Sequence, residues 1–282
     1  TAADLLEVRG IGTELARHMV ESRDNIDVKE EEAGARRLGA RIVTPVDDDY
    51  PERLKTIHDP PLALYVKGTL ERRDRHAISI VGSRRCTQYG TQTADRLAYQ
   101  LAKIGYTVIS GLARGIDTAA HVGALKGAGR TLAVIGSALD NIYPPENSEL
   151  ADRIARCGAV ISEYSLGRQP DKSTFPYRNR IVSGMALGVL VVEAPIKSGA
   201  LITVDAALEQ GRSVFAVPGR VDAPTSRGAN RLIKNGARLV EDVEDIVGEF
   251  EFLTLEKTAA PEHPAAALQL NEEETRVATI LL

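Results

Sequence analysis

The sequence predicts an α/β protein built on an extended Rossmann-like, doubly wound, mostly parallel sheet, with a small N-terminal helical module. Six short apolar runs carry this prediction, at residues 77–81, 106–110, 131–135, 159–162, 189–193 and 213–217. They are continuously apolar rather than alternating, which is typical of parallel strands covered on both faces. Each is followed by glycine, serine or proline and then by a helix-like stretch, as in doubly wound sheets. Ligands of such sheets bind at the carboxyl ends of the strands.

Four segments are expected along the chain: a small helical, helix-hairpin-helix-like module at 1–39, a Rossmann-like domain at 40–250, a linker at 251–270 and the truncated start of a further helical domain at 271–282. In the first segment, the glycine turn before a short amphipathic helix has amides that can hold a DNA phosphate. A simple packing role stays open, because the three glutamates at 30–32 disfavour contact with DNA.

The composition indicates a cytoplasmic protein without a membrane span. Hydrophobic residues make up 43% of the 282 residues, but no run approaches the roughly 20 apolar residues that cross a bilayer. No basic-then-apolar secretory signal opens the sequence. The two cysteines, Cys86 and Cys157, cannot form a disulfide framework and are expected to be reduced thiols.

The charge of the chain is unevenly distributed, which favours an anionic partner for its middle part. The formal net charge is −4, but residues 76–240 carry 20 Lys+Arg against 12 Asp+Glu. Residues 1–75 carry 13 against 16, and residues 241–282 carry 2 against 11. A local basic field is what a polyanion senses, because salt screens charges beyond roughly 10 Å.

The loop after the first predicted strand is suited to holding an anion. Gly82 allows a close backbone approach, Ser83 offers a hydroxyl and Arg84 offers a fork of donors. Arg85 beside them is expected to face solvent. Glycine is common after the strands of Rossmann-like sheets, so this loop indicates an anion site only in combination with the loop after the second strand.

The loop after the second predicted strand places an arginine at the start of a helix. It runs from Ser110 and Gly111 to Arg114 and Gly115. The free amides and the dipole of a helix N-terminus favour phosphate. Because glycines box Arg114 on both sides, its side chain is expected to point into the crevice at the edge of the sheet.

Residues 172–180 combine cations with aromatic rings, as single-strand binders do when charges hold phosphates and rings stack on bases. A helix is expected to begin at Pro176. Phe175 is therefore expected to be extended and to present its ring to a base, with Lys172 on a neighbouring phosphate. Core packing of Phe175 and ion pairing of the nearby arginines stay open as the alternative.

The sequence lacks the motifs of nucleotide and metal chemistry. No Gly-x-Gly-x-x-Gly follows the first strand, no Gly-x-x-x-x-Gly-Lys-Ser/Thr occurs, and the five histidines are scattered. No cofactor, no metal and no catalytic residue are expected, and the protein is predicted not to be an enzyme. The alternative is a nucleotide or nucleoside-monophosphate hydrolase on a related fold, with His121 as a base or Glu193 at a strand end. A helix-packing role is the simpler interpretation of His121.

Over residues 40–245 the sequence resembles the DNA-processing protein A family (DprA, also called Smf). The resemblance rests on Tyr50-Pro51, Asp59-Pro60-Pro61, residues 80–84, residues 110–121, residues 140–144, Phe175-Pro176 with Arg178-Asn179-Arg180, and residues 192–194, 198–199, 217–219 and 236–237. The block at 110–121 and the Phe-Pro-x-Arg-Asn-Arg motif are its most specific parts. Ala138 stands where the family more often has glycine, which would stiffen that loop.

The resemblance implies a cytoplasmic protein of natural transformation and DNA recombination that binds single-stranded DNA and loads the RecA recombinase. It also implies a homodimer, no membrane partner, and a C-terminal winged helix that would start at residues 271–282. By motif position, the DNA pocket would be lined by Gly82, Ser83, Arg84, Ser110, Gly111, Arg114, Gly115, Lys172, Phe175, Arg178, Asn179 and Arg180.

Overall fold

A computed structural model describes residues 1–25 and 27–250 of the chain. The linker expected at 251–270 and the helix start expected at 271–282 lie outside the described residues. Within the described ranges, no helix is long and apolar enough to span a bilayer.

The described residues form one nine-stranded sheet with the order β1-β2-β6-β5-β4-β3-β7-β8-β9. The strands are β1 (Ala40–Val43), β2 (Leu64–Gly68), β3 (Ala77–Val81), β4 (Thr107–Ser110), β5 (Thr131–Ile135), β6 (Ala159–Ser162), β7 (Gly188–Val191), β8 (Ser213–Ala216) and β9 (Arg238–Leu239). In this order, the strands β6-β5-β4-β3-β7-β8-β9 pair in parallel with their neighbours. Among the strands that the structure describes, only the β1–β2 and β2–β6 pairs are antiparallel. The prediction of a mostly parallel sheet is confirmed, and all six predicted strands lie in its parallel part.

The helices of the described residues connect these strands. They are α1 (Ala2–Leu6), α2 (Thr13–Asn25), α3 (Val28–Arg37), α4 (Glu52–Lys55), α5 (Gln88–Lys103), α6 (Ile116–Lys126), α7 (Ser148–Cys157), α8 (Thr174–Gly184), α9 (Gly199–Glu209), α10 (Arg227–Lys234) and α11 (Glu244–Val247).

Helices cover both faces of the sheet, as the continuously apolar strands predict. Successive side chains of a strand point to opposite faces, and all five residues of β3 are buried. Val81 packs with α8 and α9 on one face. Ile80 packs with α5 and α6 on the other, where α7 and α3 continue the layer over β5 and β6. The fold is therefore a doubly wound, Rossmann-like sheet.

The N-terminal helices divide between a hairpin and the sheet. Helices α1 and α2 are joined by a tight turn in which Gly10 has a φ of +98°, a conformation that favours glycine. Helix α3 packs on the sheet instead. The Glu31 carboxylate on α3 accepts hydrogen bonds from the Tyr65 hydroxyl (2.8 Å) and the Leu166 amide (2.9 Å). The boundary at residue 39 stays a prediction, and at least α3 on its N-terminal side lies against the sheet.

The strand order predicts a ligand site at the carboxyl end of β3, in the middle of the sheet. The chain passes from β3 to β4 on one side and later returns to β7 on the other side. The loops after β3 and β7 therefore diverge, which opens a crevice at the carboxyl ends of these strands.

Candidate nucleic-acid interface

A crevice of about 950 Å³ lies at the carboxyl ends of β3 and its neighbouring strands. Its walls are the loop after β3 (residues 82–85), the loop after β4 (residues 111–113), the loop after β7 (residues 195–199) and the start of α8. The structure brings eight of the predicted pocket residues together around it: Gly82, Ser83, Arg84, Gly111, Lys172, Phe175, Arg178 and Asn179.

The loop after β3 is fixed by its neighbours and directs two arginines outwards. The Ser83 amide donates to the Glu193 carbonyl (2.7 Å), and the Ser83 carbonyl accepts from the Ile116 amide (3.2 Å). The Ser83 hydroxyl accepts from the Arg85 amide (3.1 Å). These bonds occupy the backbone of the loop and leave the Arg84 and Arg85 side chains exposed at the crevice.

Gly111 lies between two buried charged groups at the floor of the crevice. A Cβ at this position would lie 2.6 Å from Asp117 Oδ2 and 2.6 Å from Arg178 Nη2, closer than non-bonded atoms approach. Ser110 lies below the floor, is fully buried, and donates its hydroxyl to the Ile80 carbonyl (2.6 Å). The structure therefore brings Gly111 to the crevice and gives Ser110 a structural contact.

Arg178 supports the floor from beneath. It is 4% exposed, and its Nη1 donates to the carbonyls of Gly111 (2.9 Å) and Val134. Burial lowers the pKa of Arg178 to about 10. Burial also raises the pKa of Asp117 to about 6, although the nearby Arg178 charge opposes that rise. Arg178 thus holds the loop after β4 in place while its charge stays under the crevice.

Arg114 lies at the border of the crevice rather than inside it. It does not line the crevice itself, but it lines a small pocket beside Arg84, Gly111 and Phe175, so its contact with DNA stays a prediction. Its Nε and Nη2 donate to the two carboxylate oxygens of Glu146, the second at 3.1 Å. Its guanidinium also lies 5.8 Å from the centre of the Tyr143 ring. The neighbouring glycines do not fix the direction of the Arg114 side chain. Its direction is set by Glu146, which lies 32 residues later in the chain and which the local sequence does not reveal. Arg114 and Gly115 line an adjacent groove between α5 and α6.

Phe175 is helical rather than extended, so that expectation is wrong. Helix α8 begins at Thr174, which places Pro176 in the first turn, where the missing amide hydrogen costs nothing. The Asp171 carboxylate accepts from the Ser173 amide (2.7 Å) and the Thr174 amide (3.1 Å) and so fixes this helix start.

The Phe175 ring is half-buried at the wall of the crevice. The Arg84 guanidinium lies 5.0 Å from its centre and the Tyr143 ring 5.6 Å from it. Gly136 lies beneath the ring. The ring therefore has packing contacts behind it and a side that borders the crevice, which combines both interpretations of this residue.

Arg180 is not part of the crevice. It is 13% exposed, and its guanidinium donates to Glu163 (2.6 Å) and Asp59 (3.2 Å). Lys172 is exposed at the crevice and Asn179 is half-buried there. The predicted cluster at residues 172–180 thus separates into crevice residues and Arg180, which forms two ion pairs away from the crevice.

Lys197 is a crevice residue that the sequence interpretation missed. It lies in the loop after β7, just before the Ser198 hydroxyl that caps α9 by accepting from the Ala200 amide (3.3 Å). A signal was present, since the loop after this predicted strand combines a cation, a serine and a glycine, as the loop after β3 does in the opposite order.

Unpaired cations dominate the charge of the crevice. Within residues 1–25 and 27–250, the four exposed cations that line the crevice form no salt bridge with a carboxylate: Arg84, Arg85, Lys172 and Lys197. Of the lining carboxylates, Asp171 caps α8 and Asp117 is buried under the floor. The described residues hold no cluster of histidine, cysteine or carboxylate side chains that could bind a metal ion.

The two residues considered for hydrolysis serve the fold. His121 is fully buried, with its Nδ1 2.7 Å from the Thr131 hydroxyl, and burial lowers its pKa to about 3. The Glu193 carboxylate accepts from the Thr87 amide (2.8 Å) and hydroxyl (2.9 Å) at the start of α5. Neither side chain is presented to a ligand in the crevice.

Comparison with known families identifies this architecture. The family model described as DNA recombination-mediator protein A matches residues 41–251. The chain belongs to this family. Its members include the DNA processing protein DprA of Streptococcus pneumoniae, which is 45% identical over 207 residues, 73% of each chain.

Solved structures of DNA processing protein A share the fold. The crystal structure of the Streptococcus pneumoniae protein superposes with a TM-score of 0.81 at 38% identity, over 90% of this chain and 88% of that one. The Helicobacter pylori protein superposes with a TM-score of 0.67 at 30% identity, over 75% of this chain and 96% of that one. The latter structure is described as giving insight into a single-stranded DNA binding mode. The predicted resemblance to the DprA family is confirmed.

Proposed function

We propose that this chain binds single-stranded DNA in the crevice through its phosphates and does no chemistry on it. The observation that carries the proposal is that four exposed cations without a salt bridge line one crevice together with the Phe175 ring, and that one of them, Arg84, lies 5.0 Å from the centre of that ring. Cations hold the backbone of a single strand, and rings stack on its bases. Arg84, Lys172 and Phe175 are the expected direct contacts, while Arg178 positions the loop that carries Gly111.

The hydrolase alternative has less support. A general base must reach the proton that it removes, but His121 is fully buried and Glu193 is occupied by Thr87. The family's description as a recombination mediator and the Helicobacter pylori structure agree with binding.

The wider role follows from the same family. We propose that the bound strand is handed to a RecA recombinase during DNA uptake or recombination in the cytoplasm, that the chain acts as a homodimer, and that residues 1–39 and 271–282 belong to accessory modules. Sedimentation of the purified protein tests the dimer, and a strand-exchange assay with RecA on DNA coated by single-strand-binding protein tests the hand-over.

One titration tests the central proposal. Fluorescence anisotropy with a labelled single-stranded oligonucleotide should give clear binding, and a duplex of the same sequence should bind more weakly. Incubation of the protein with nucleoside monophosphates should release no base. Absence of single-strand binding, or catalytic release of base, would contradict the proposal.

A further inference from the structure

The ion pair between Arg114 and Glu146 lies at the border of the crevice. Arg114 follows β4, and Glu146 belongs to the short 3-10 helix Pro145–Asn147. Both side chains are 51% exposed. The Arg114 guanidinium faces the Tyr143 ring, which in turn contacts Phe175 in the crevice wall. Arg114 also lines a small pocket together with the crevice residues Arg84 and Gly111, so it lies beside the proposed DNA path.

The geometry of this pair is one that a phosphate can replace. Arg114 donates through Nε and Nη2 to both oxygens of the Glu146 carboxylate. The guanidinium fork matches a phosphate in the same two-bond arrangement. The hydrogen bonds from Arg114 lower the pKa of Glu146 and keep it charged. Exposed ion pairs stabilise proteins only slightly, so little opposes the exchange of one anion for another.

The cations on the far side of this border are paired with carboxylates, unlike the exposed cations of the crevice. Arg114 and Lys126 are the cations among the described residues that line the groove between α5 and α6. Each is held by a carboxylate that lines the same groove, Glu146 for Arg114 and Asp95 for Lys126 (2.7 Å). The four exposed crevice cations, Arg84, Arg85, Lys172 and Lys197, have no such partner in the part of the chain that the structure describes. The row of cations without a carboxylate partner therefore stops before Arg114, because Glu146 neutralises the charge of Arg114.

We propose that Glu146 occupies the place of a DNA phosphate on Arg114, so that a bound single strand must displace this carboxylate and Glu146 thereby sets the affinity of the crevice. This inference rests on the proposed function, because it assumes that a single strand occupies the crevice. In this proposal, Glu146 weakens DNA binding by competing with a phosphate for Arg114.

The test is a double-mutant cycle on single-stranded DNA. Glu146→Gln keeps the shape of the side chain and removes its charge, and should tighten binding about threefold, the size of an exposed ion pair. In an Arg114→Ala background the same substitution should change affinity by less than ~1.5-fold, because the competition is gone. Glu149→Gln is the matched control, since Glu149 is exposed three residues further along without a hydrogen-bonding partner among the described residues.

The outcomes separate this inference from the proposed function. The role of Glu146 would be overturned if Glu146→Gln and Glu149→Gln had the same affinity for single-stranded DNA. It would also be overturned if Glu146→Gln raised the affinity equally with and without Arg114. Either result would leave single-strand binding itself intact. Wild-type protein that binds no single strand would overturn both. Melting curves of all variants check folding, and the exposure of the pair predicts unchanged melting temperatures.

Discussion

Asp117 is a buried carboxyl group whose ionisation should affect stability. Burial raises its pKa from 3.8 to about 6. Because the folded state holds the proton more tightly than the unfolded chain, this stabilisation is complete below pH 3.8 and is lost as the pH rises through about 6. The loss corresponds to about 3 kcal/mol for a shift of this size.

Asp117→Asn should remove that dependence. The free energy of unfolding of the wild type, relative to the variant, should fall between pH 4 and pH 7, as measured by urea unfolding at several pH values. His121 is present in both proteins, so its own titration drops out of the difference to first order. A difference that stays constant across this range would contradict the assignment.

Phe175 is expected to contribute more to DNA binding than to the core. Stacking on a base contributes about 1–3 kcal/mol, so Phe175→Ala should weaken single-strand binding by about tenfold. The ring is only half-buried, so the melting temperature should fall far less than for a core phenylalanine. Tyr177→Ala is the control, because Tyr177 lies on the same helix but contacts Asp59 outside the crevice. A large loss of stability with affinity retained would make Phe175 a packing residue.

The sequence predicted which residues lie at the crevice well where a loop follows a strand, and poorly where contacts between distant parts of the chain decide. Arg84, Lys172 and Gly111 lie at the crevice as predicted. Arg180 was predicted beside them, but it pairs with Glu163 and with Asp59, 121 residues earlier in the chain. Such pairs depend on which elements meet in space, and no local pattern encodes them.

At the scale of elements, apolar patterning predicted the six central parallel strands but not β1, β2 and β9, which lie towards the two ends of the sheet. The six predicted strands start and end within about two residues of the observed ones. Strand β2 also carries an apolar run, Leu64 to Val66, but a short 3-10 helix rather than an α-helix follows it. Strand β1 contains the exposed Arg41, and β9 has two residues. Strands at an edge bury less surface, so their sequences carry a weaker signal.

The segment between β6 and α8 brings Lys172 to the crevice, and its charge should be visible in the salt dependence. Each neutralised phosphate on a single strand adds about −0.7 to the slope of log K against log salt. Lys172→Ala should therefore weaken binding and flatten this slope by about 0.7. Lys234→Ala on α10 is the control, because Lys234 is exposed but does not line the crevice. An unchanged slope for Lys172→Ala would make this lysine ordinary surface charge.

At the scale of the molecule, the fold concentrates opposite charges in different places. The basic surplus of residues 76–240 includes Arg84, Arg85, Lys172 and Lys197, which the strand order gathers at the carboxyl ends of the parallel strands. Elsewhere in the described residues many cations are neutralised locally, as Arg130 is by Asp74 (2.8 Å). A net charge of −4 is thus compatible with a polyanion site, because screening makes only the local field count.

Binding should consequently be sensitive to salt and tolerant of sequence. If the four crevice cations each neutralise one phosphate, the slope of log K against log salt should be about −2.8. The crevice offers few side chains to base edges, so oligonucleotides of different sequence and equal length should bind within a few-fold of each other, since phosphate contacts carry no sequence information. Anisotropy titrations at several salt concentrations with at least three sequences measure both quantities. A flat salt response would remove the phosphates from the mechanism, and a strong preference for one sequence would mean that the protein reads base edges.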